Sequence, residues 1–202
     1  MTDAPWAGDA CSLVDAFRAG ERSPVEELDA TLAAIEASSL NAFSFLDPDR
    51  ARERAAAADV SLPFGGVPVG VKELNRVEGW PETDACLVFA DRIADCTDTM
   101  LERLRGDGGA NFVGLTTASE FGGLNISTSK LNGITHNPWR EGCTAGGSSG
   151  GSSAAVAGGL VLIVMLLGFT AVQHAFSDGQ VSIGSLSEVE RRALAVTGSG
   201  DF

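Results

Sequence analysis

Between Cys143 and Gly159 the chain reads CTAGGSSGGSSAAVAGG, with Ser148 and Ser149 set between two glycine pairs and Ser152 and Ser153 directly after them. Paired glycines open backbone conformations closed to other residues. The small residues Ala154, Ala155, Val156 and Ala157 suit the start of a tightly packed helix. Such a turn can present serine hydroxyls and backbone N–H groups at one spot, as nucleophilic and oxyanion-binding sites require. A phosphate cradle is a second use of the same composition. It lacks the Gly-Lys-Ser/Thr ending of a P-loop and the GxGxxG of a dinucleotide turn. A flexible linker is the third, and the apolar segment LVLIVMLLGF that follows speaks against it.

The elements that must position these serines can be read from local patterns. Leu13, Val14 and Phe17 recur at helical spacing between Ala10 and Ala19. In SPVEELDATLAAIEA, Ser23 is placed to cap a second helix, with Pro24 at its first position and Glu26 closing a capping box. Leu28, Leu32 and Ile35 then share one face. DPDRARERAAAADV predicts a third, more exposed helix capped by Asp47 or Asp49. From Leu62 the punctuation changes: LPFGGVPVGVKELN predicts a buried strand entered from a turn. A helix from about Asp98 to Arg105, a glycine-rich stop and the strand NFVGLTT follow, the order expected of an α/β protein with a partly parallel sheet. Glu120 to Arg140 is polar and reads as loop, with HNPW as a turn.

Composition bounds the function. Hydrophobic residues at 44% and charged residues at 20% of 202 residues support a packed core rather than disorder. A formal net charge of −13 argues against nucleic acid or anionic lipid as the main partner. It fits a soluble, acidic, cytoplasmic protein. Cys11, Cys86, Cys96 and Cys143 show neither zinc-site nor disulfide-frame spacing, so reduced thiols are expected. MTDAPWAGDA has no basic start and no apolar run, so no secretory signal is read there.

GGSSGGSSAAVAGG resembles the hallmark of the amidase signature family, hydrolases that cleave amide C–N bonds with a Ser–cis-Ser–Lys triad. GVPVGVKE is similar to the family's lysine-bearing strand, and GLTTASEFGG…HNPW to the segment leading into the Gly/Ser loop. The three pieces stand in the family's order, and the resemblance runs from about Asp9 to Val161. It implies an α/β fold, a mixed sheet flanked by helices. It also implies Lys72 as base, Ser148 as the relay serine after a cis Gly147–Ser148 bond, and Ser149 as a supporting hydrogen-bonding serine. Ser152 and Ser153 are then helix-start caps. The implied substrate is a small-molecule amide, and neither metal nor organic cofactor is required. The chemistry suits these residue types: a serine needs a base, and a lysine whose free pKa is about 10.4 becomes one only if burial disfavours its ammonium form. A strand-end lysine reaching solvent is the ordinary alternative for Lys72 taken alone.

After Val161 the pattern departs from the family. The register of the family's nucleophile falls on Val172, which cannot attack a carbonyl, and the chain is less than half a usual family length. SDGQVSIG keeps Ser177, Asp178, Ser182 and Ile183 in the family's relative order, which makes Ser182 a candidate nucleophile after a ten-residue insertion. Gln180 and Val181 there replace two glycines that shape the oxyanion hole. The competing reading is a surface loop before SLSEVERRALA, a short helix with Ser187 as cap and Glu190 closing the box. Residues Ala154 to Val172 form 19 positions without a charge, close to a membrane span, though no basic cluster flanks them. A buried segment is the preferred reading. The expected organisation is therefore residues 1–161 as the N-terminal portion of an incomplete amidase signature domain and 162–202 as a divergent tail. The expected function is amide hydrolysis through an acyl-serine, impaired where the nucleophile segment is missing. The alternatives are a non-catalytic remnant that associates through exposed sheet edges, and a glutaminase-like component of an amidotransferase.

Overall fold

A computed structural model describes residues 4–140, 142–166 and 169–172. Helix α1 (Ala10–Ala19) starts where the Asp9 side chain accepts from Ser12 N, and it ends at Gly20, whose φ of 71° supplies the left-handed stop. Helix α2 (Pro24–Ala37) has the capping box read in the sequence, the Ser23 side chain accepting from Glu26 N while Glu26 accepts from Ser23 N. Strand β1 (Phe43–Leu46) follows, a four-residue element that the sequence reading did not anticipate. Helix α3 (Pro48–Ala56) begins after Asp47, but neither proposed cap operates through its side chain. The Asp47 carboxylate instead accepts from Trp80 Nε1 at 2.7 Å, tying the helix start to the core.

Strand β2 (Pro68–Lys72), helix α4 (Thr99–Gly106) and strand β3 (Asn111–Thr116) come next, close to the expected bounds. The stretch from Glu120 to Arg140 is not all loop. It contains a single 3-10 turn at Glu120–Gly122 and a hairpin of β4 (Thr128–Ser129) and β5 (Gly133–Ile134). Helix α5 (Gly150–Ala157) and strands β6 (Ile163–Leu166) and β7 (Phe169–Val172) complete the described elements.

The main sheet has the order β1-β3-β2-β6-β7. Its centre is parallel, β2 pairing with both β3 and β6, while β1 and β7 pair antiparallel with their neighbours. Every residue of β2 and β3 is buried, as expected for central strands covered on both faces. Successive residues divide between two cores. Phe112 joins Leu13, Val14, Phe17, Leu101 and Leu104 on the α1/α4 face; Val113 joins Leu28, Ala51, Ala154 and Ala155 on the face covered by α2, α3 and α5. This is the mixed sheet flanked by helices that the sequence implied.

The charge-free run from Ala154 to Val172 is divided. Helix α5 stops at Gly158, Gly159 takes a φ of 69°, and the chain then enters β6 beside β2. Among the described residues no helix is long and apolar enough to cross a membrane. The apolar run here is a short helix packed through Ala154 and Ala155 followed by strands of the sheet, which periodicity alone does not separate from a span.

Candidate active site

Lys72 is the last residue of β2, the strand at the middle of the sheet. Its side chain is buried, with 4% of the residue exposed, and its Nζ donates to Ser148 Oγ at 2.8 Å. Burial pushes the Lys72 pKa below the ordinary lysine value, because the ammonium form loses hydration that the protein does not replace with an anion. Among the described residues no carboxylate forms an ion pair with it. The pair has the geometry for proton exchange between an amine and a hydroxyl.

The Gly/Ser turn that presents Ser148 is held by its glycines and by neighbouring backbone. Gly146 has a φ of 83°, and the Gly147–Ser148 peptide is cis. A Cβ on Gly147 would lie 2.6 Å from Ile126 N, so only glycine lets the turn pass this close to the preceding loop. The Ser148 carbonyl accepts from Ser119 N at 3.2 Å.

Helix α5 then starts in a polar, buried corner. Gly150 N donates to Ser127 Oγ at 2.8 Å, and Gly151 N donates to Thr117 O at 3.0 Å. These contacts satisfy two of the N–H groups that a helix start leaves unpaired. The capping roles read for Ser152 and Ser153 are therefore corrected: both lie inside α5, and Ser149 occupies the cap position without a side-chain cap bond. Ser152 is fully buried, its Oγ 2.7 Å from Thr116 Oγ1, which in turn donates to Val71 O at 3.3 Å. Ser153 Oγ donates back to Ser149 O at 3.2 Å. Among the described residues the Ser149 hydroxyl makes no hydrogen bond to Lys72 or Ser148, so its expected supporting contact is not seen there.

Ser127 is the anchor that sequence reasoning missed, because it sits in a stretch with no periodicity. Replacing it with alanine should leave Gly150 N buried without an acceptor. The expected cost is about 1–3 kcal/mol, read as a lower midpoint in chemical denaturation, with the Lys72–Ser148 contact loosened as well. A cavity of about 380 Å³, lined by Ile126, Ser127, Ile134, His136, Cys143 and Thr144, borders this side of the Gly/Ser turn. A cavity of about 570 Å³ lies between α2 and β1, and neither Lys72 nor Ser148 lines it, so size is no guide to the chemistry here. Among the described residues no group of histidine, cysteine and carboxylate side chains could hold a metal ion. The structure brings Lys72, Gly147 and Ser148 together; Ser182 and its neighbours Ser177 and Asp178 lie outside the described residues, as does the proposed helix start at Ser187 and Glu190.

The model of the amidase family matches residues 26–165. An acylamidase of Rhodococcus erythropolis is 36% identical over 147 residues, 68% of this chain and 31% of the relative. A glutamyl-tRNA(Gln) amidotransferase component of Methylacidiphilum infernorum (isolate V4) is 38% identical over 129 residues, 63% of this chain and 26% of that protein. A bacterial aryl acylamidase of the amidase signature enzymes superposes with a TM-score of 0.74 at 28% identity, covering 81% of this chain and 36% of that one. The chain thus spans about a third of the length of the relatives it matches. With a family match across most of the described fold, and relatives that agree in sequence and in structure, the chain belongs to the amidase signature family.

Proposed function

We propose that this chain carries the base half of an amide-hydrolysing site, with Lys72 as the base and Ser148 as the relay. The observation that supports the reading is the buried Lys72 amine at 2.8 Å from the Ser148 hydroxyl, with no carboxylate in ion-pair contact with it among the described residues. In the reaction a nucleophilic serine, for which Ser182 is the candidate, attacks the amide carbonyl carbon. Its proton passes to Ser148 Oγ as the Ser148 proton passes to neutral Lys72 Nζ. The tetrahedral adduct then collapses: the C–N bond breaks, the departing nitrogen takes a proton back through the same relay, and an acyl-serine remains. Water attacks that ester as its proton passes through Ser148 to Lys72, and collapse returns the proton to the serine oxygen while the carboxylic acid leaves. The resemblance to amidase signature relatives makes a small-molecule amide the expected substrate class.

A non-catalytic reading is favoured by one observation. The family register of the nucleophile falls on Val172, in β7. On that reading the outer strands β1 and β7 serve association.

Labelling the 202-residue chain with a serine-directed fluorophosphonate separates the readings. Labelling that is lost in Ser182→Ala and in Lys72→Met supports Ser182 as the nucleophile served by Lys72. Labelling lost in Lys72→Met but kept in Ser182→Ala moves the nucleophile to another serine. No labelling of the wild-type chain, at any pH up to about the ordinary lysine pKa of 10.4, overturns the hydrolytic reading and leaves the non-catalytic one.

A further inference from the structure

Glu73 follows Lys72 directly and is equally buried, with 3% exposed. Glu73 lies in the turn just past β2, and its carboxylate is held by the loops that carry Thr83 and Asn132, with Ser44 of β1 and the Ala118 backbone also beside it. Thr83 Oγ1 donates to Glu73 Oε1 at 2.7 Å. Asn132 Nδ2 donates to Oε1 at 2.9 Å and to Oε2 at 2.7 Å. Burial pushes the Glu73 pKa up, and the donors from Asn132, Thr83, the Ala118 backbone and Ser44 oppose that rise. The Asn132 amide nitrogen cannot accept a proton from a carboxylic acid, so this donor set fits the ionised carboxylate.

Asn132 sits in the turn between β4 and β5, where its N donates to Ser129 Oγ at 2.9 Å. Immediately before that hairpin is Ser127, which holds Gly150 N, and its carbonyl accepts from Thr135 N at 3.0 Å on the β5 side. Gly150 lies two residues beyond Ser148. The contacts therefore close a ring: the Glu73 carboxylate, Asn132, the hairpin, Ser127, Gly150, Ser148 and Lys72, with Lys72 and Glu73 joined by a peptide bond. Thr83 adds a branch, since its Oγ1 accepts from Ala85 N at 3.2 Å and the next residue's carbonyl, Asp84 O, accepts from Phe121 N at 2.9 Å.

We infer that Glu73 is a positioning residue for the Lys72–Ser148 pair, acting through Asn132 and the β4–β5 hairpin to seat the Gly/Ser turn against Lys72. The inference rests on the reading of Lys72 as the base, and it assigns no contact with substrate to Glu73.

The test uses the fact that the chain has only two lysines, Lys72 and Lys130. Lysine labelled with carbon-13 at Cε should give a Lys72 signal whose titration can be followed in the intact chain, assigned by its loss in Lys72→Met. Asn132→Ala leaves the Glu73 side chain in place and removes its link to the hairpin. The Lys72 midpoint should then move up toward the ordinary lysine value of about 10.4 as the turn loosens and water reaches the amine. Glu73→Gln places an amide donor against the Asn132 amide and should move Lys72 in the same direction. Removal of a nearby negative charge by itself would move it down. The exchange variant Glu73→Gln with Asn132→Asp restores a donor facing an acceptor and should return the midpoint toward the wild-type value. An unchanged Lys72 midpoint in folded Asn132→Ala overturns the inference, as does a downward movement in Glu73→Gln. If Lys72 in the wild-type chain titrates at the ordinary lysine value of about 10.4, the base reading itself fails, a result distinct from either. Should Glu73→Gln not fold, Asn132→Ala alone decides.

Discussion

Lys72→Met is expected to slow acylation of the chain by a fluorophosphonate or a simple amide about 10²–10⁴-fold, the usual contribution of a positioned general base. It is also expected to stabilise the fold. Methionine keeps most of the aliphatic length of lysine and removes the amine that burial disfavours in its charged form. The sign of the pH dependence follows from linkage. The folded-state pKa of Lys72 lies below its unfolded value, so the unfolded chain binds the proton more tightly, and wild-type stability rises with pH between the two values. Below the folded pKa the whole penalty is present; above the unfolded value of about 10.4 it is absent. The stability gain of Lys72→Met should therefore be largest below the folded-state pKa and should shrink as pH rises from there toward that upper limit. Urea denaturation of both chains across this range checks it. A variant that is inactive and also less stable at every pH would mean that Lys72 is held charged, by an interaction stronger than the hydration it has lost.

Much of this site was legible because its parts are local. Ser23, Pro24 and Glu26 fix the start of α2 through contacts three residues apart, and the capping box formed as read. Val69 and Val71 announce a buried strand, and Lys72 ends it. The contacts that were not legible are those between segments far apart in sequence. Gly150 N reaches Ser127 across 23 positions, and Asn132 reaches Glu73 across 59. Neither loop residue belongs to a periodic pattern, because a two-residue strand is too short to show one. β1 escaped notice for a related reason: all four of its residues are half-buried, so burial does not alternate along FSFL. Asp47 was read as a cap from its position alone, while the structure gives its carboxylate to Trp80, 33 positions away. Ser152 was misread in the same way. Its place just after GGSSGG suggests a cap, but the helix begins earlier, because Gly150 and Gly151 are its first residues rather than its approach.

Those two glycines carry the second large effect. Gly151→Ala is expected to be the more damaging of two chemically identical substitutions, the other being Gly106→Ala. A Cβ on Gly151 would lie 2.2 Å from Thr117 Oγ1, 2.3 Å from Thr117 N and 2.5 Å from Thr117 O. Two of these three atoms are backbone, just past the end of β3, and the N–H of Gly151 itself donates to that same Thr117 O. No rotamer change relieves the clash, so α5 must lift off the sheet. Lifting it breaks the Gly151–Thr117 bond, opens the buried Ser152–Thr116 contact and carries Ser148 away from Lys72. Overpacking of this kind costs about 1–3 kcal/mol, occasionally more. For a chain of this length that corresponds to a fall of roughly 2–12 °C in Tm. Gly106, the last residue of α4, has nothing within 4 Å of where its Cβ would be. There alanine should be neutral or stabilise by about 0.4–1 kcal/mol, since it narrows the unfolded ensemble without strain. Thermal unfolding of the two variants beside the wild type reads the contrast directly. The Lys72 titration adds a local readout, because its midpoint should rise in Gly151→Ala and stay in place in Gly106→Ala. Equal Tm values for the two variants would mean that α5 does not pack on Thr117 through Gly151, and the placement of Ser148 against Lys72 would lose its structural basis.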